Sequence, residues 1–194
     1  VPPVTYALTY AGNGSTGGTV PVDGSSPYEE TATVTVVGNT GTLVRTGYTF
    51  DDWNTAANGT GTAYADTDTF AMPAAAVVLY AQWVINTYTL TYDGNTNTGG
   101  TAPTDASSPY DYAVTVTTLG NTGTLVKTSK VFNGWNTAAN GSGTTRGPGG
   151  TWAMGAGNVT LYAQWADPPV GVVGAGGASV RVVTLFGGGG GLLG

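Results

Sequence analysis

"VVLYAQW", residues 77–83, returns as "VTLYAQW" at residues 159–165. In the first copy Val77, Leu79, Ala81 and Trp83 fall on one side, with Val78, Tyr80 and Gln82 on the other. The second copy sets Val159, Leu161, Ala163 and Trp165 against Thr160, Tyr162 and Gln164. Strict alternation carried by β-branched and aromatic residues marks a strand with one buried face. Each copy therefore reads as the closing strand of a small module.

The duplication reaches far beyond this strand. Tyr6 aligned with Tyr88 runs without a gap to Trp83 with Trp165, and about 60% of the aligned positions are identical. "GNTGTLV" and "WNTAANG" recur intact. Modules at 1–83 and 84–165 follow, with a Pro/Gly-rich linker and apolar tail at 166–194. Within the first module strands are expected near 5–10, 32–37, 48–53, 68–72 and 77–83, with equivalents in the second. Asn58-Gly59 and Asn140-Gly141 are tight-turn dipeptides, because both residue types tolerate positive φ. "GNTGTLV" has room for a single helical turn.

Composition agrees with a strand-rich chain. Of 194 residues only 8% are charged, and glycine reaches 33. Histidine and cysteine are absent, which excludes His-based triads, cysteine nucleophiles, His/Cys zinc sites and disulfides. A net charge of −6 with five scattered basic residues offers no surface for a nucleic-acid backbone. No segment approaches the roughly 20 apolar residues of a membrane span. The first residue is Val1, which fits a processed product or a fragment, and a removed signal peptide is compatible with it.

"YTLTYDGN", "FNGWNTAANGSGT" and "NVTLYAQW" resemble the Listeria–Bacteroides repeat, the internalin B-type repeat, over residues 5–83 and 87–165. The resemblance implies a mainly β fold: β-grasp-like α+β modules with little helix, strands wrapped round a short helix. It also implies tandem use on secreted bacterial surface proteins, as spacers or adhesive modules, without catalytic residues or cofactors. Two positions depart from the family's "GYTFxGW". Ser129 stands for a glycine, so positive φ is not expected there, and Asp52 stands for another, which alters the local turn.

Candidate chemistry reduces mostly to packing. Trp53, Trp135, Trp83 and Trp165 occupy equivalent places on buried faces, and Trp152 replaces Phe70; core packing is preferred over sugar stacking. "DGNTNTGG" from Asp93 has Thr98 and Thr104 where an EF-hand loop needs glycine and a carboxylate, so no metal is expected. Asp66 and Asp68 face Pro148 and Gly150 in the other copy and read as turn residues. Asp51-Asp52 and Glu29-Glu30 are adjacent pairs, and strand neighbours point to opposite faces, so no acid–base pair and no enzyme is expected. Lys127 and Lys130 have no lysine counterparts, which excludes a lysine cross-link common to both copies. The sequons starting at Asn13, Asn58, Asn140 and Asn158 read as turns.

The tail holds the one candidate interaction element. In "ASVRVVTLF" Val180, Val182, Thr184 and Phe186 alternate with Arg181, Val183 and Leu185. Such a strand has no core of its own, and Val180, Val182, Val183, Leu185 and Phe186 are the expected contacts with a partner sheet. The linker from Ala166 to Gly177 reaches roughly 40 Å when extended, enough to donate the strand to another copy. Folding back on the second module, or a sorting signal beginning at "GGGGGLLG", are the alternatives. The expected partners are thus other copies of the chain or a larger surface protein, with an adhesin-type role toward a glycan or host protein as the competing function.

Overall fold

The computed structural model describes residues 2–169, and every regular element among them is a strand. The chain is mainly β, as its alternation required. By backbone packing it divides into two compact units. Of the described residues, one unit gathers those up to Thr89 with Ser107–Val116 and Trp152–Asn158, and the other holds Leu90–Ala106, Thr117–Thr151 and those from Val159 on.

In the first unit β1 (Thr5–Tyr6) pairs with β3 (Tyr28–Glu29), and β4 (Thr33–Thr35) pairs with β7 (Thr69–Ala71). A four-stranded sheet is formed by β2 (Leu8–Ala11), β8 (Val77–Ile85), β5 (Tyr48–Asn54) and β6 (Ala63–Tyr64), in that order. The closing strand β8 is thus internal. It runs parallel to β2 from Leu8↔Val77 to Ala11↔Tyr80 and antiparallel to β5. Continuing along the chain, β9 (Thr87–Tyr88) pairs with β11 (Tyr110–Asp111), also in this unit.

The second repeat follows the same plan. Its four-stranded sheet has the order β10 (Leu90–Asp93), β16 (Val159–Ala166), β13 (Val131–Asn136), β14 (Thr145–Arg146). The remaining strands, β12 (Thr115–Thr117) and β15 (Thr151–Ala153), pair with each other. Again the first strand of the sheet is parallel to the last, from Leu90↔Val159 to Asp93↔Tyr162.

Alternation places the core. Leu8, Tyr10, Val34, Val36, Leu43, Trp53, Met72, Leu79 and Ala81 form one buried cluster in the first repeat. Trp83 packs against its rim half-buried, and Trp165 is likewise half-buried, so the closing tryptophans are less enclosed than the expected core role implies. Trp53 and Trp135 are the fully enclosed pair, both at 0% exposure.

Three expectations change. "GNTGTLV" is a turn, and among the described residues none is helical. Asn39 explains this: its Oδ1 accepts from Leu43 N–H at 2.7 Å and its Nδ2 donates to Leu43 O at 2.9 Å. The side chain takes the amide that a helix would bond to the Asn39 carbonyl. Gly41 fits because a Cβ there would stand 1.8 Å from Thr19 O. Ser129 does adopt positive φ, at 60°, like Gly47 at 79°, so the turn keeps its left-handed residue despite losing glycine. Finally, the register of β5 against β8 shifts between Phe50 and Trp53, and β13 against β16 shifts between Phe132 and Trp135. This bulge takes Gly134 to φ 96° in one repeat and is built from Asp51-Asp52 in the other.

Candidate functional site

The duplicated motifs meet at one end of each sheet, where a polar side chain is buried. Asn54 follows Trp53 in β5 and is 3% exposed; Asn136 is 1% exposed. Asn54 Oδ1 accepts from Ala56 N–H at 2.9 Å and Gly61 N–H at 3.0 Å, while its Nδ2 donates to Gly59 O at 3.3 Å. One amide therefore serves as the hub of the "TAANGTG" loop. Asn13 ties that loop to the sheet, its Nδ2 donating to Ala57 O and Ala81 O, both at 2.8 Å. Gln82 Nε2 adds bonds to Ala56 O at 3.4 Å and Tyr80 O at 3.1 Å. Trp83 Nε1 donates to Gly12 O at 3.2 Å, pinning the loop that leaves β2.

Asn95, Asn136, Gln164 and Trp165 repeat these bonds. Asn95 Nδ2 reaches Ala139 O and Ala163 O at 2.8 Å, and Trp165 Nε1 reaches Gly94 O at 3.1 Å. This use of asparagine and glutamine was not foreseen in the sequence. Its signal was the intact recurrence of "WNTAANG" and "YAQW", which packing of apolar residues alone does not demand. "LYAQW" is repeated because its glutamine and tryptophan lock the loop while Leu79 and Ala81 fill the core.

The carboxylates singled out in the sequence serve turns or lie at the surface. Asp93 Oδ1 accepts from Asn95 N–H at 2.7 Å and Asp68 Oδ2 from Ala65 N–H at 2.8 Å, both as turn chemistry. Among the described residues no three acidic groups gather as metal ligands. Glu29 and Glu30 are exposed. The Asp52 carboxyl is pushed up from its ordinary value by partial burial and then by the neighbouring Asp51 charge. Burial likewise raises the Tyr10 phenol, although the Val37 N–H that bonds its oxygen at 2.8 Å works in the opposite direction.

Sheet edges are the remaining candidates. β2 is an edge strand, and the Ser26 hydroxyl accepts from Leu8 N–H at 3.0 Å while donating to Leu8 O at 3.2 Å. That capping removes a template for strand addition. On the opposite side β6 pairs with only Trp53 and Asn54 of β5, and β14 with only Trp135 and Asn136 of β13. The outer side of Tyr48–Asp52 is guarded by the Asp51-Asp52 bulge, and the same stretch of β13 carries the uncharged Asn133-Gly134. The proposed tail contacts Val180, Val182, Val183, Leu185 and Phe186 lie outside the described residues.

The Listeria-Bacteroides repeat domain family matches residues 6–82 and 88–164. The chain is 40% identical over 164 residues to a "Putative Gly-rich membrane protein" of Evansella cellulosilytica, covering 82% of this chain and 18% of that protein. A "Putative membrane protein" of the same organism is 46% identical over 91 residues, 47% of this chain and 13% of that one. "Internalin H" of Listeria monocytogenes is 36% identical over 119 residues, 61% of this chain and 19% of the relative. The chain thus spans less than a fifth of each of these curated relatives. No solved structure matches.

Proposed function

Because the chain belongs to the Listeria-Bacteroides repeat domain family, we propose that it is a non-enzymatic structural segment of a bacterial surface protein. In this reading the two repeats act as spacer modules at the cell surface or outside the cell. One observation carries it: the amide and indole groups most tightly duplicated between the repeats are consumed internally. Asn54, Asn13, Gln82 and Trp83 hold one loop and one sheet together, and their counterparts do the same. The relatives named as membrane protein and internalin support the location.

The finer reading is head-to-tail assembly, with the tail strand of one copy added to a sheet edge of the next. The uncharged outer stretch of β13 supports it as an acceptor better than the Asp51-Asp52 edge. Negative-stain images of the whole chain and of a form lacking residues 170–194 test this. Fibres from the whole chain and monomers from the shortened one are expected. Fibres from the shortened form would remove the tail from the mechanism, and monomers from both would leave the spacer role without polymerisation. An adhesin-type role toward a glycan is the second reading, and the cationic turns below favour it.

A further inference from the structure

We propose that the turn after each "GTLV" binds an anionic group of a surface polysaccharide, a phosphate ester or a carboxylate, through Arg45 in the first repeat and Lys127 in the second. This deepens the adhesin reading and stands apart from tail-mediated assembly.

Charge placement motivates it. The described residues include four basic side chains, Arg45, Lys127, Lys130 and Arg146, and three of them stand in these two equivalent turns, Arg45 in the first and Lys127 with Lys130 in the second. The ion pair among the described residues is Lys130–Asp167 at 2.6 Å, so Arg45 and Lys127 have no carboxylate partner there. Both cations are half-exposed rather than fully solvated.

Each turn also gathers hydroxyl groups around its cation. Tyr48 N–H closes the first turn on Arg45 O at 3.0 Å, and Lys130 N–H closes the second on Lys127 O at 3.0 Å. The exposed hydroxyls of Thr16 and Thr46 lie 3.3 Å apart, and those of Thr98 and Thr128 also 3.3 Å. Lys127 Nζ donates to Thr96 Oγ1 at 2.5 Å. The Arg45 guanidinium lies 4.0 Å over the Tyr48 ring, which holds it in place while its N–H fork stays available. Beneath each cation two consecutive residues have positive φ: Asn13 (44°) and Gly14 (87°), then Asn95 (49°) and Thr96 (64°). A fixed cation beside several hydroxyls suits an oxyanion carried on a sugar. In the first turn Tyr112 stands edge-on to Tyr48 at 6.2 Å and 71°, adding an aromatic surface for a sugar ring.

The net charge of −6 opposes long-range attraction to a polyanion. At physiological salt that repulsion is screened beyond about 8 Å, so the local cation decides the contact.

The test measures retention of the whole chain on immobilised phosphomannan, on alginate and on neutral mannan at physiological salt. The parent is expected to bind phosphomannan, alginate or both, and to ignore neutral mannan; which charged polymer it takes separates phosphate from carboxylate. Arg45→Gln with Lys127→Gln should weaken binding at least about tenfold, the range of one lost charge-assisted contact. Arg146→Gln should bind as the parent does. Arg45→Lys with Lys127→Arg keeps both charges and should retain most binding, which covers the case of a poorly folded Gln variant. Failure of the parent to bind either charged polymer overturns the proposal. So does equal binding to neutral mannan, indifference to the Gln pair, an equal loss in Arg146→Gln, or loss in the charge-keeping pair.

Discussion

Tyr10 and Trp53 meet edge-on with ring centroids 4.7 Å apart at 66°, and Tyr92 meets Trp135 at 4.8 Å and 68°. Each tyrosine makes two links, for its ring packs on the sheet tryptophan while its oxygen accepts a half-buried backbone N–H, from Val37 or Leu119, at 2.8 Å. In both repeats, then, a single side chain joins the four-stranded sheet to the segment after β4 or β12.

Tyr10→Phe keeps the ring contact and strands the Val37 N–H. We expect a loss of about 1 kcal/mol, the cost of a lost hydrogen bond to a half-buried donor, read as a lower denaturant midpoint with unchanged slope. Because folding raises the Tyr10 pKa above its ordinary 10.0, the phenol's contribution is complete below that pH and lost as pH rises through the folded value. The difference between parent and variant should therefore shrink in alkaline solution. A difference independent of pH would show that the phenol is not the group involved.

Asn54→Ala removes the hub of the loop. About 3 kcal/mol of destabilisation is expected, because several backbone groups lose their partner together. Chemical denaturation measures it, and a change under about 0.5 kcal/mol would mean that the loop holds itself without Asn54.

Asp52→Asn should stabilise the protein at neutral pH. Burial and the Asp51 charge raise the folded pKa above the ordinary 3.8. The native state thus favours the protonated acid, and that contribution is full below the unfolded pKa and disappears as pH rises through the folded one. Melting temperatures of parent and variant should converge as the pH is lowered into the carboxylate range. A variant that gains stability equally at every pH would contradict the electrostatic cause.

Ser129→Gly should stabilise by about 1 kcal/mol, relieving a left-handed backbone that glycine adopts freely. At the equivalent place Gly47→Ala should destabilise, since a Cβ there would meet the Tyr112 ring at 2.1 Å. Thermal melts of the two variants moving in the same direction would contradict this reading.

Much of this architecture was legible because it rests on period-two alternation, which the repeated "LYAQW" and "LTY" segments display openly. The two-residue strands Tyr28–Glu29 and Ala63–Tyr64 escaped notice because two residues have no period. Asn39 and Asn54 were hidden for another reason. An asparagine in a glycine-rich stretch reads as a solvated turn, and only the folded loop decides that its amide will be turned inward and bonded to backbone a few residues away. Ser129 shows the converse: its sequence suggested relaxed geometry, while the neighbouring strands impose the left-handed residue. The cationic turns were written in the sequence as charges beside a single threonine, and the fold brings Thr16, Thr96 and Thr98 to them.

The parallel alignment of β2 with β8, and of β10 with β16, has a mechanical consequence. The two strands in each pair lie near the entry and the exit of one repeat, side by side and pointing the same way. Tension between entry and exit drags them past each other lengthwise, loading their hydrogen bonds at once instead of peeling them singly. In a pulling experiment each repeat should yield abruptly, as one event, at a force set by that short parallel ladder. A segment at a cell surface exposed to flow would then hold its length under load up to that threshold and extend in steps beyond it.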